Sequence, residues 1–233
     1  MALGRWKDLC IDANDAWVLG QFWGDMLGLR VQQLHDGDVV LRGQRPQQTI
    51  WVNTVPEVKT VKQRVHLDLR VSSLDRVLAL GARVLVSAGD SGGDWTVMAD
   101  PEGGEFCAFV GADLPPDPPA RLFEIVVDTA DSASSRALAE WWADVLGGRS
   151  VDDGRGFWWV ADVSGVPFET LDVIPVPEPK QVKNRIHWDI TCDDVDGLVD
   201  RGAIVLAEPC EDTPWHVMAD PQGNEFCVFA SSS

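Results

Sequence analysis

The sequence predicts an α+β fold built from four modules, each with the element order βαβββ. Two observations lead to this fold class. The chain contains an internal repeat, and each copy shows a strand pattern, a helix pattern and about three further strand patterns, followed by the same order again. Each copy is roughly 115 residues long, so it has room for two modules.

The repeat is read from three stretches that recur in the same order. KTVKQRVHLDL from Lys59 returns as KQVKNRIHWDI from Lys180, and VMADPEGGEFCAF from Val97 returns as VMADPQGNEFCVF from Val217. FWGDMLG, near the start, returns more loosely as WWADVLG. Between the copies lie four prolines, which favour extended backbone. The predicted organisation is a first domain at 1–111, a Pro-rich linker at 112–120 and a second domain at 121–233.

Local patterns predict the elements of each copy. Alternating apolar residues predict strands at 8–12, 64–69 and 105–110. Helical spacing over 15–27 ends at Gly28, and a shorter helix is predicted over 73–80 with a serine cap and Gly81 as its end. Asp-Pro-x-Gly at 100–103 and 220–223 suits a tight turn between two strands.

Alternation along a strand predicts which side chains share a face. His66 faces with Arg64 and Asp68, and Glu105 faces with Cys107. His187, Arg185, Asp189, Glu225 and Cys227 repeat this pattern in the second copy. Phe106, Phe226 and Trp188 point the other way, where a helix would cover the sheet. Polar, ligand-capable groups are therefore expected on one face of each sheet.

Composition limits the classes of partner. The chain has 37 acidic and 19 basic residues and a formal net charge of −18, which disfavours nucleic acid and anionic membranes as partners. No apolar run is long enough to span a membrane, and the first residues lack a secretory pattern, so a cytoplasmic location is the expectation. Five cysteines without a Cys-x-x-Cys pair indicate neither a disulfide framework nor a zinc knuckle.

The repeated motifs resemble the vicinal oxygen chelate superfamily, which includes glyoxalase I, bleomycin-resistance proteins, fosfomycin-resistance enzymes and extradiol dioxygenases. The tails from Val97 and Val217 resemble the DPxGNxF ending of glyoxalase-like domains, and VHLDL and IHWDI resemble their His-bearing strand. FWGDMLGL is similar to the family's FYxxxLGL. The resemblance implies tandem glyoxalase-like domains in which modules pair into cupped mixed β-sheets with helices on the outer face.

The resemblance also implies metal ligands on the first and last strands of each module. In copy one these are Asp8, Gln48, His66 and Glu105, and in copy two they are Glu124, Glu169, His187 and Glu225. Asp8 and Glu124 depart from the family's usual His or Gln at the first position. The second set holds more carboxylates, so we expect a cation to prefer the site around His187.

One His with two or three oxygen donors suits a divalent ion such as Zn, Ni, Co, Mn or Fe. Such a site would support glyoxalase-like lyase or isomerase chemistry, with Glu105 or Glu225 as the catalytic carboxylate. Extradiol ring cleavage is disfavoured because the first His of its two-His, one-carboxylate site is missing. Trp95, Trp215, Arg64 and Arg185 are the candidate substrate-binding residues.

Three alternatives stay open at this stage. Arg64 and Arg185 could neutralise Glu105 and Glu225 without any metal. The protein could sequester a hydrophobic or aromatic small molecule, as bleomycin-resistance proteins do, with no metal and no reaction. One copy could also serve only as a scaffold. Since superfamily members often pair two domains to complete their cups, we expect a monomer whose two copies form an internal pseudo-dimer.

Overall fold

The structure is a computed structural model that describes residues 2–111, 114 and 117–231. Part of the predicted linker, namely Ala112, Asp113, Pro115 and Pro116, lies outside the described residues. None of the helices in the described ranges is long and apolar enough to cross a membrane.

The described chain forms four βαβββ modules, as the sequence predicts. The first contains β1 (Arg5–Ala13), α1 (Ala16–Leu27), β2 (Arg30–Gln33), β3 (Val39–Arg42) and β4 (Ile50–Thr54). The second contains β5 (Val65–Val71), α2 (Leu74–Ala79), β6 (Arg83–Val86), β7 (Trp95–Ala99) and β8 (Glu105–Val110). The third contains β9 (Ala120–Thr129), α3 (Ser132–Leu146), β10 (Arg149–Asp152), β11 (Trp158–Ala161) and β12 (Thr170–Pro175). The fourth contains β13 (Ile186–Thr191), α4 (Val195–Asp200), β14 (Ile204–Ala207), β15 (His216–Ala219) and β16 (Glu225–Phe229).

Side-chain caps and glycines set the ends of the longer helices. The Asp15 carboxylate accepts a hydrogen bond of 3.0 Å from the amide of Val18, and Asp131 begins α3 in the same way. Gly28 ends α1 with a φ of 66°, in the left-handed region where glycine avoids a Cβ penalty. These local signals explain why α1 begins and ends where the sequence predicts.

The Asp-Pro-x-Gly segments form the predicted turns. The amide of Gly103 donates to the Asp100 carbonyl at 3.0 Å, and the Asp100 carboxylate accepts from the amide of Gly104 at 2.7 Å. Asp220 holds the second copy of the turn through the same contacts with Gly223 and Asn224. Glu105 and Glu225 therefore begin β8 and β16 from a fixed turn.

The modules pair across the two copies. Sheet A has the order β14-β15-β16-β13-β1-β4-β3-β2, and sheet B has the order β10-β11-β12-β9-β5-β8-β7-β6. β1 therefore pairs with β13 and β5 pairs with β9, both antiparallel. The expectation that the two modules of one copy supply one set of ligands is wrong, because each sheet takes one module from each copy.

Helices α1 and α3 bury aromatic side chains against the sheets. Trp23 of α1 contacts Phe106 of sheet B with ring centroids 5.5 Å apart, while Trp142 of α3 contacts Trp188 and Phe226 of sheet A at 4.9 and 5.2 Å. These five rings are fully buried, which confirms the face predicted for Phe106, Phe226 and Trp188. The opposite face of each sheet carries the polar residues.

Candidate functional site

We call the helix-free face of sheet B cup B, and four neighbouring strands bring its polar residues together. Asp68 on β5 lies directly opposite Glu124 on β9 and beside Cys107 on β8. His66 precedes Asp68 by two residues, so it shares this face. Asp172 on β12 pairs with the residue two positions after Glu124 and joins the same surface.

The cup B groups lie close enough to share one ligand. One donor atom each from His66, Asp68 and Cys107 lies within 4.8 Å of the others, and His66 Nε2 is 3.3 Å from Asp68 Oδ1. Asp172 Oδ1 is buried and has no hydrogen-bond partner among the described residues, whereas the buried Asp68 Oδ1 is contacted by His66. Buried polar atoms without partners are costly, so they indicate a place where a bound group would complete the site.

Burial and mutual repulsion change the protonation of these carboxyl groups. Burial, followed by the charges of Asp172 and Asp68, raises the pKa of Glu124 to about 8. Burial also raises the pKa of Asp172 to about 6. For His66, burial lowers the pKa, but the Asp68 carboxylate outweighs it, and the net pKa is raised. At neutral pH the cup can therefore hold a proton on Glu124.

The helix-free face of sheet A, which we call cup A, holds an equivalent cluster. Asp8 on β1 lies opposite Asp189 on β13, and Cys10 lies opposite His187. Burial and the Asp8 charge raise the pKa of Asp189 to about 8. Burial and then the charge of Lys183 lower the pKa of His187 to about 4, so this imidazole is neutral. Cys10, His187 and Asp189 also bring one donor atom each within 4.8 Å of one another.

Cup A contains its own cation. The Lys7 ammonium lies 2.8 Å from Asp8 Oδ2 and 3.6 Å from Asp189 Oδ2, and 3.9 Å from the centre of the Phe229 ring. The indole N–H of Trp51 also donates to Asp8 at 3.0 Å. Lys7 thus offsets part of the negative charge of the acidic pair of cup A, although Asp8 Oδ1 and His187 Nδ1 are buried without a hydrogen-bond partner among the described residues.

Cup B has an aromatic ring where cup A has this cation. Lys7 precedes Asp8 as Phe123 precedes Glu124, and both positions lie at an irregularity in the strand register. The ring of Phe123 contacts Phe109 edge-on at 5.1 Å, where Lys7 contacts Phe229. The three carboxyl groups of cup B consequently lie around a site without a lysine at this position, and the guanidinium of Arg70, which also binds Glu169, lies 4.6 Å from the centre of the Phe123 ring.

Glu105 and Glu225 are held by lysines at the rims of the cups. Lys59 donates to Glu105 and Lys180 donates to Glu225, each at 2.8 Å. The amides of Gln63 and Asn184 bind the second oxygens of these carboxylates, both at 3.1 Å. The alternative in which Arg64 and Arg185 neutralise the two glutamates is therefore wrong, because the lysines occupy that role.

Gln48 and Glu169 lie apart from the imidazoles. The Gln48 side chain folds back to accept from the amide of Arg45 at 3.0 Å, and it lines a cavity of about 290 Å³ that also includes Trp6. Glu169 is half exposed and binds Arg70 and Arg121 at 3.2 and 2.6 Å. Both residues therefore have partners of their own.

The tryptophans predicted at the cup mouths lie on the cup faces. Trp95 is paired with Phe109 across two strands, with ring centroids 5.8 Å apart, and Trp215 stacks on Phe229 at 4.9 Å. Both indoles are partly exposed, so they form aromatic walls that a ligand can contact.

Pairing across copies changes the composition of each predicted ligand set. Glu124 and Glu169 belong to sheet B with His66, whereas Asp8 belongs to sheet A with His187. The expectation that three glutamates surround His187 is wrong for this reason. Sequence reasoning missed Asp172 and Lys7. Aligning the two copies would have indicated Lys7, because the equivalent position of the second copy is Phe123.

Comparison with known proteins agrees with this architecture. The family described as "Glyoxalase-like domain" matches residues 8–109 and again residues 124–229. The chain therefore belongs to this glyoxalase-like family of the vicinal oxygen chelate superfamily, a class of small-molecule-binding folds. No curated protein sequence matches the chain.

Solved structures show the same fold at low sequence identity. Glyoxalase I from Zea mays is 12% identical with a TM-score of 0.68, over 97% of this chain and 92% of that one. A putative dioxygenase from Bacillus subtilis subsp. subtilis strain 168 is 12% identical with a TM-score of 0.67, over 100% and 86%. The cppA protein from Streptococcus pneumoniae TIGR4 is 10% identical with a TM-score of 0.51, over 99% and 100%.

Proposed function

We propose that the protein binds a small molecule in cup B together with a divalent metal ion, and that it performs metal-assisted lyase or isomerase chemistry of the glyoxalase type. The observation that carries this proposal is the charge difference between the cups. In cup A the Lys7 ammonium contacts both Asp8 and Asp189, whereas cup B places Phe123 at the equivalent position. Arg70 lies over the Phe123 ring but is half exposed and paired with Glu169, so a cation from solution would supply the remaining charge.

The donor set of cup B fits a divalent ion. His66 offers a nitrogen, Asp68 offers a carboxylate beside it, Asp172 offers an oxygen that has no partner among the described residues, and Cys107 offers a sulfur. Nitrogen, oxygen and sulfur donors together suit a transition metal such as Zn, Ni, Co, Mn or Fe. When bound, such an ion would polarise the neighbouring oxygens of a chelating substrate.

The remaining groups of cup B support proton transfer. Glu124 has a pKa of about 8, so it can take up and release a proton near neutral pH. Asp68 orients the His66 ring through its contact at 3.3 Å. Trp95 and Phe109 form an aromatic wall that would exclude water from one side of a bound molecule. We therefore assign the catalytic carboxylate to Glu124 in preference to the lysine-bound Glu105.

A second function is supported by the aromatic residues of the same cup. Trp95, Phe109 and Phe123 surround an acidic floor, and this combination also suits an organic cation bound without metal. The protein would then sequester a small molecule in the manner of bleomycin-resistance proteins. A cytoplasmic location and a monomeric state are part of either proposal, and sedimentation of the purified chain tests the latter.

The decisive experiment inserts the cup A cation into cup B. Phe123→Lys should abolish binding of Zn²⁺ or Ni²⁺ in calorimetric titrations, whereas the matched control Phe123→Met should retain it. Binding at one site per chain in the wild type supports the proposal. Equal metal affinity in Phe123→Lys and Phe123→Met would refute it.

The metal content of the purified protein and ligand binding by the metal-free protein separate the two functions. The sequestration function predicts that chelator-treated protein binds phenyltrimethylammonium and that Phe123→Lys loses this binding. The metal-assisted function predicts that the wild type retains about one metal ion per chain after chelator-free purification. Metal analysis by mass spectrometry measures this directly.

A further inference from the structure

A second cavity lies between the two segments that connect the sheets. Residues 55–64 lead from β4 of sheet A to β5 of sheet B, and residues 178–185 lead from β12 of sheet B to β13 of sheet A. These equivalent segments face each other and enclose a cavity of about 650 Å³. This volume lies within the range of ordinary small-molecule sites, about 300 to 1,000 Å³.

Basic side chains line this cavity, and most of them have a carboxylate partner outside or at its wall. The ion pairs are Lys59 with Glu105, Lys62 with Asp128, Lys183 with Asp12 and Arg185 with Glu102. Arg64, the fifth basic residue, forms no ion pair with any carboxylate of the described residues. Within the described part of the chain, its guanidinium donates to the backbone carbonyls of Glu178 and Asp128.

Arg64 therefore carries a buried charge that forms no ion pair with a described carboxylate, although Glu57 and Glu178 line the same cavity. The residue is 8% exposed, and its Nε has no hydrogen-bond partner among the described residues. A buried charge is normally paired, because removing it from water is costly. The two carbonyl contacts satisfy some of its N–H groups but leave the positive charge unbalanced.

A difference between the copies explains this imbalance. Glu102 lies in the turn of copy one and binds Arg185 at 2.9 Å. The equivalent turn of copy two, Asp220-Pro221-Gln222-Gly223, has Gln222 in its place, and Gln222 is the residue that pseudo-symmetry assigns to Arg64. Arg185 thus has a carboxylate partner in the turn, whereas Arg64 has an uncharged glutamine at the equivalent position.

The cavity wall also contains the acidic residues Asp12, Glu57 and Glu178, and a group of apolar side chains that could contact the body of a ligand. Val55, Val58, Val61, Pro179 and Val182 line the cavity, and Val58 and Val182 are largely exposed although apolar. An apolar molecule would cover these side chains. A guanidinium matches a carboxylate in charge and in geometry.

We propose that this cavity binds a small carboxylic acid with an apolar body, whose carboxylate balances the charge of Arg64. The site is separate from cup B, because His66, Asp68 and Glu124 are absent from its described wall. The proposal therefore stands or falls independently of metal binding. Since both connecting segments would contact the ligand, binding should also stabilise the joined sheets.

Calorimetric titration with decanoate and with 1-naphthoate tests the proposal, and 1-decanol serves as the uncharged control. The wild type should bind at least one of the two carboxylates at one site per chain, and at least about tenfold more tightly than decanol, since hydrogen bonds to charged groups are strong. Absence of binding by both carboxylates at millimolar concentration would overturn the proposal, as would equal affinity for decanol.

Three substitutions sharpen the test. Gln222→Glu gives Arg64 an internal carboxylate and should weaken carboxylate binding by at least about tenfold. Glu102→Gln makes the reciprocal change beside Arg185 and should leave the Arg64 site able to bind. Val182 is partly exposed and its side chain makes no hydrogen bond, so the fold should tolerate Val182→Trp. The larger side chain should fill the cavity and block binding. Unchanged affinity in both Gln222→Glu and Val182→Trp would overturn the assignment.

Discussion

The raised pKa of Glu124 makes the stability of the protein depend on pH, and Glu124→Gln should remove this contribution while that of Asp189 remains. The folded pKa is about 8 and the usual value is 4.5. The folded state therefore holds its proton more tightly than the unfolded chain, so the associated stability is complete below pH 4.5 and is lost as pH rises to 8. At about 1.36 kcal/mol for each pH unit, the upper limit is about 5 kcal/mol. Because Glu124 is only partly buried, solvent screening reduces the expected loss to about 2 kcal/mol.

Urea denaturation followed by tryptophan fluorescence measures this effect in metal-free protein. Glu124→Gln should match the wild type at pH 5 and exceed it by about 2 kcal/mol at pH 9, because the variant has no proton to lose. Glu140→Gln, which changes an exposed glutamate paired with Arg136, is the control and should change the unfolding free energy by the same amount at pH 5 and at pH 9. If the wild type and Glu124→Gln lose stability in parallel between pH 5 and 9, the carboxyl group is not protonated in the folded state and the reasoning is refuted.

Three further predictions follow from contacts in both halves of the molecule. Lys7→Met removes the cation of cup A, so it should lower the unfolding free energy at pH 7.5 by about 2 kcal/mol. It should also create a second metal site per chain in calorimetric titrations. An unchanged unfolding free energy and an unchanged number of metal sites would contradict the role of Lys7. Gly28→Ala places a Cβ at a φ of 66° and 2.9 Å from Pro118, so urea denaturation should show a loss of about 1 to 2 kcal/mol. Iodoacetamide at pH 7.5 should label the exposed Cys210 first, because its hydrogen bonds with Thr213 lower its pKa. Burial raises the pKa of Cys107 and protects it. Peptide mapping that finds Cys107 labelled first would disprove this order.

The sequence predicted those parts of the fold that depend on local chemistry. Asp15 and Gly28 mark the ends of α1 through a side-chain cap and a left-handed glycine, both visible in the sequence. The Asp100 turn follows from its own residue types. Because the chain repeats, each local prediction applied to both copies, and the four modules and the buried position of Trp188 were predicted correctly.

The pairing of modules could not be predicted in the same way. Alternation shows which side chains share a face, but it does not identify the neighbouring strand. Asp68 therefore meets Glu124 of the other copy, a contact that no local pattern specifies. The sites of each copy were consequently grouped with the wrong partners.

Two further errors have a common physical cause. Strict alternation applies only within a regular strand. Arg64 and Arg185 directly precede β5 and β13, so they turn towards the connecting segments and the second cavity. Lys7 lies at a bulge in β1, which brings it to the same side as the adjacent Asp8.

The exchange of modules between copies also sets an order of folding. Sheet B is formed by one continuous stretch from Val65 to Pro175, whereas sheet A joins the two ends of the chain, with Cys10 opposite His187. Closing the longer loop costs more entropy, so long-range pairing is slower. We therefore expect pulsed hydrogen exchange to protect the amides of β5 and β9 before those of β1 and β13. Sheet B, which carries cup B, would then form first, and the two ends of the chain would pair into sheet A afterwards.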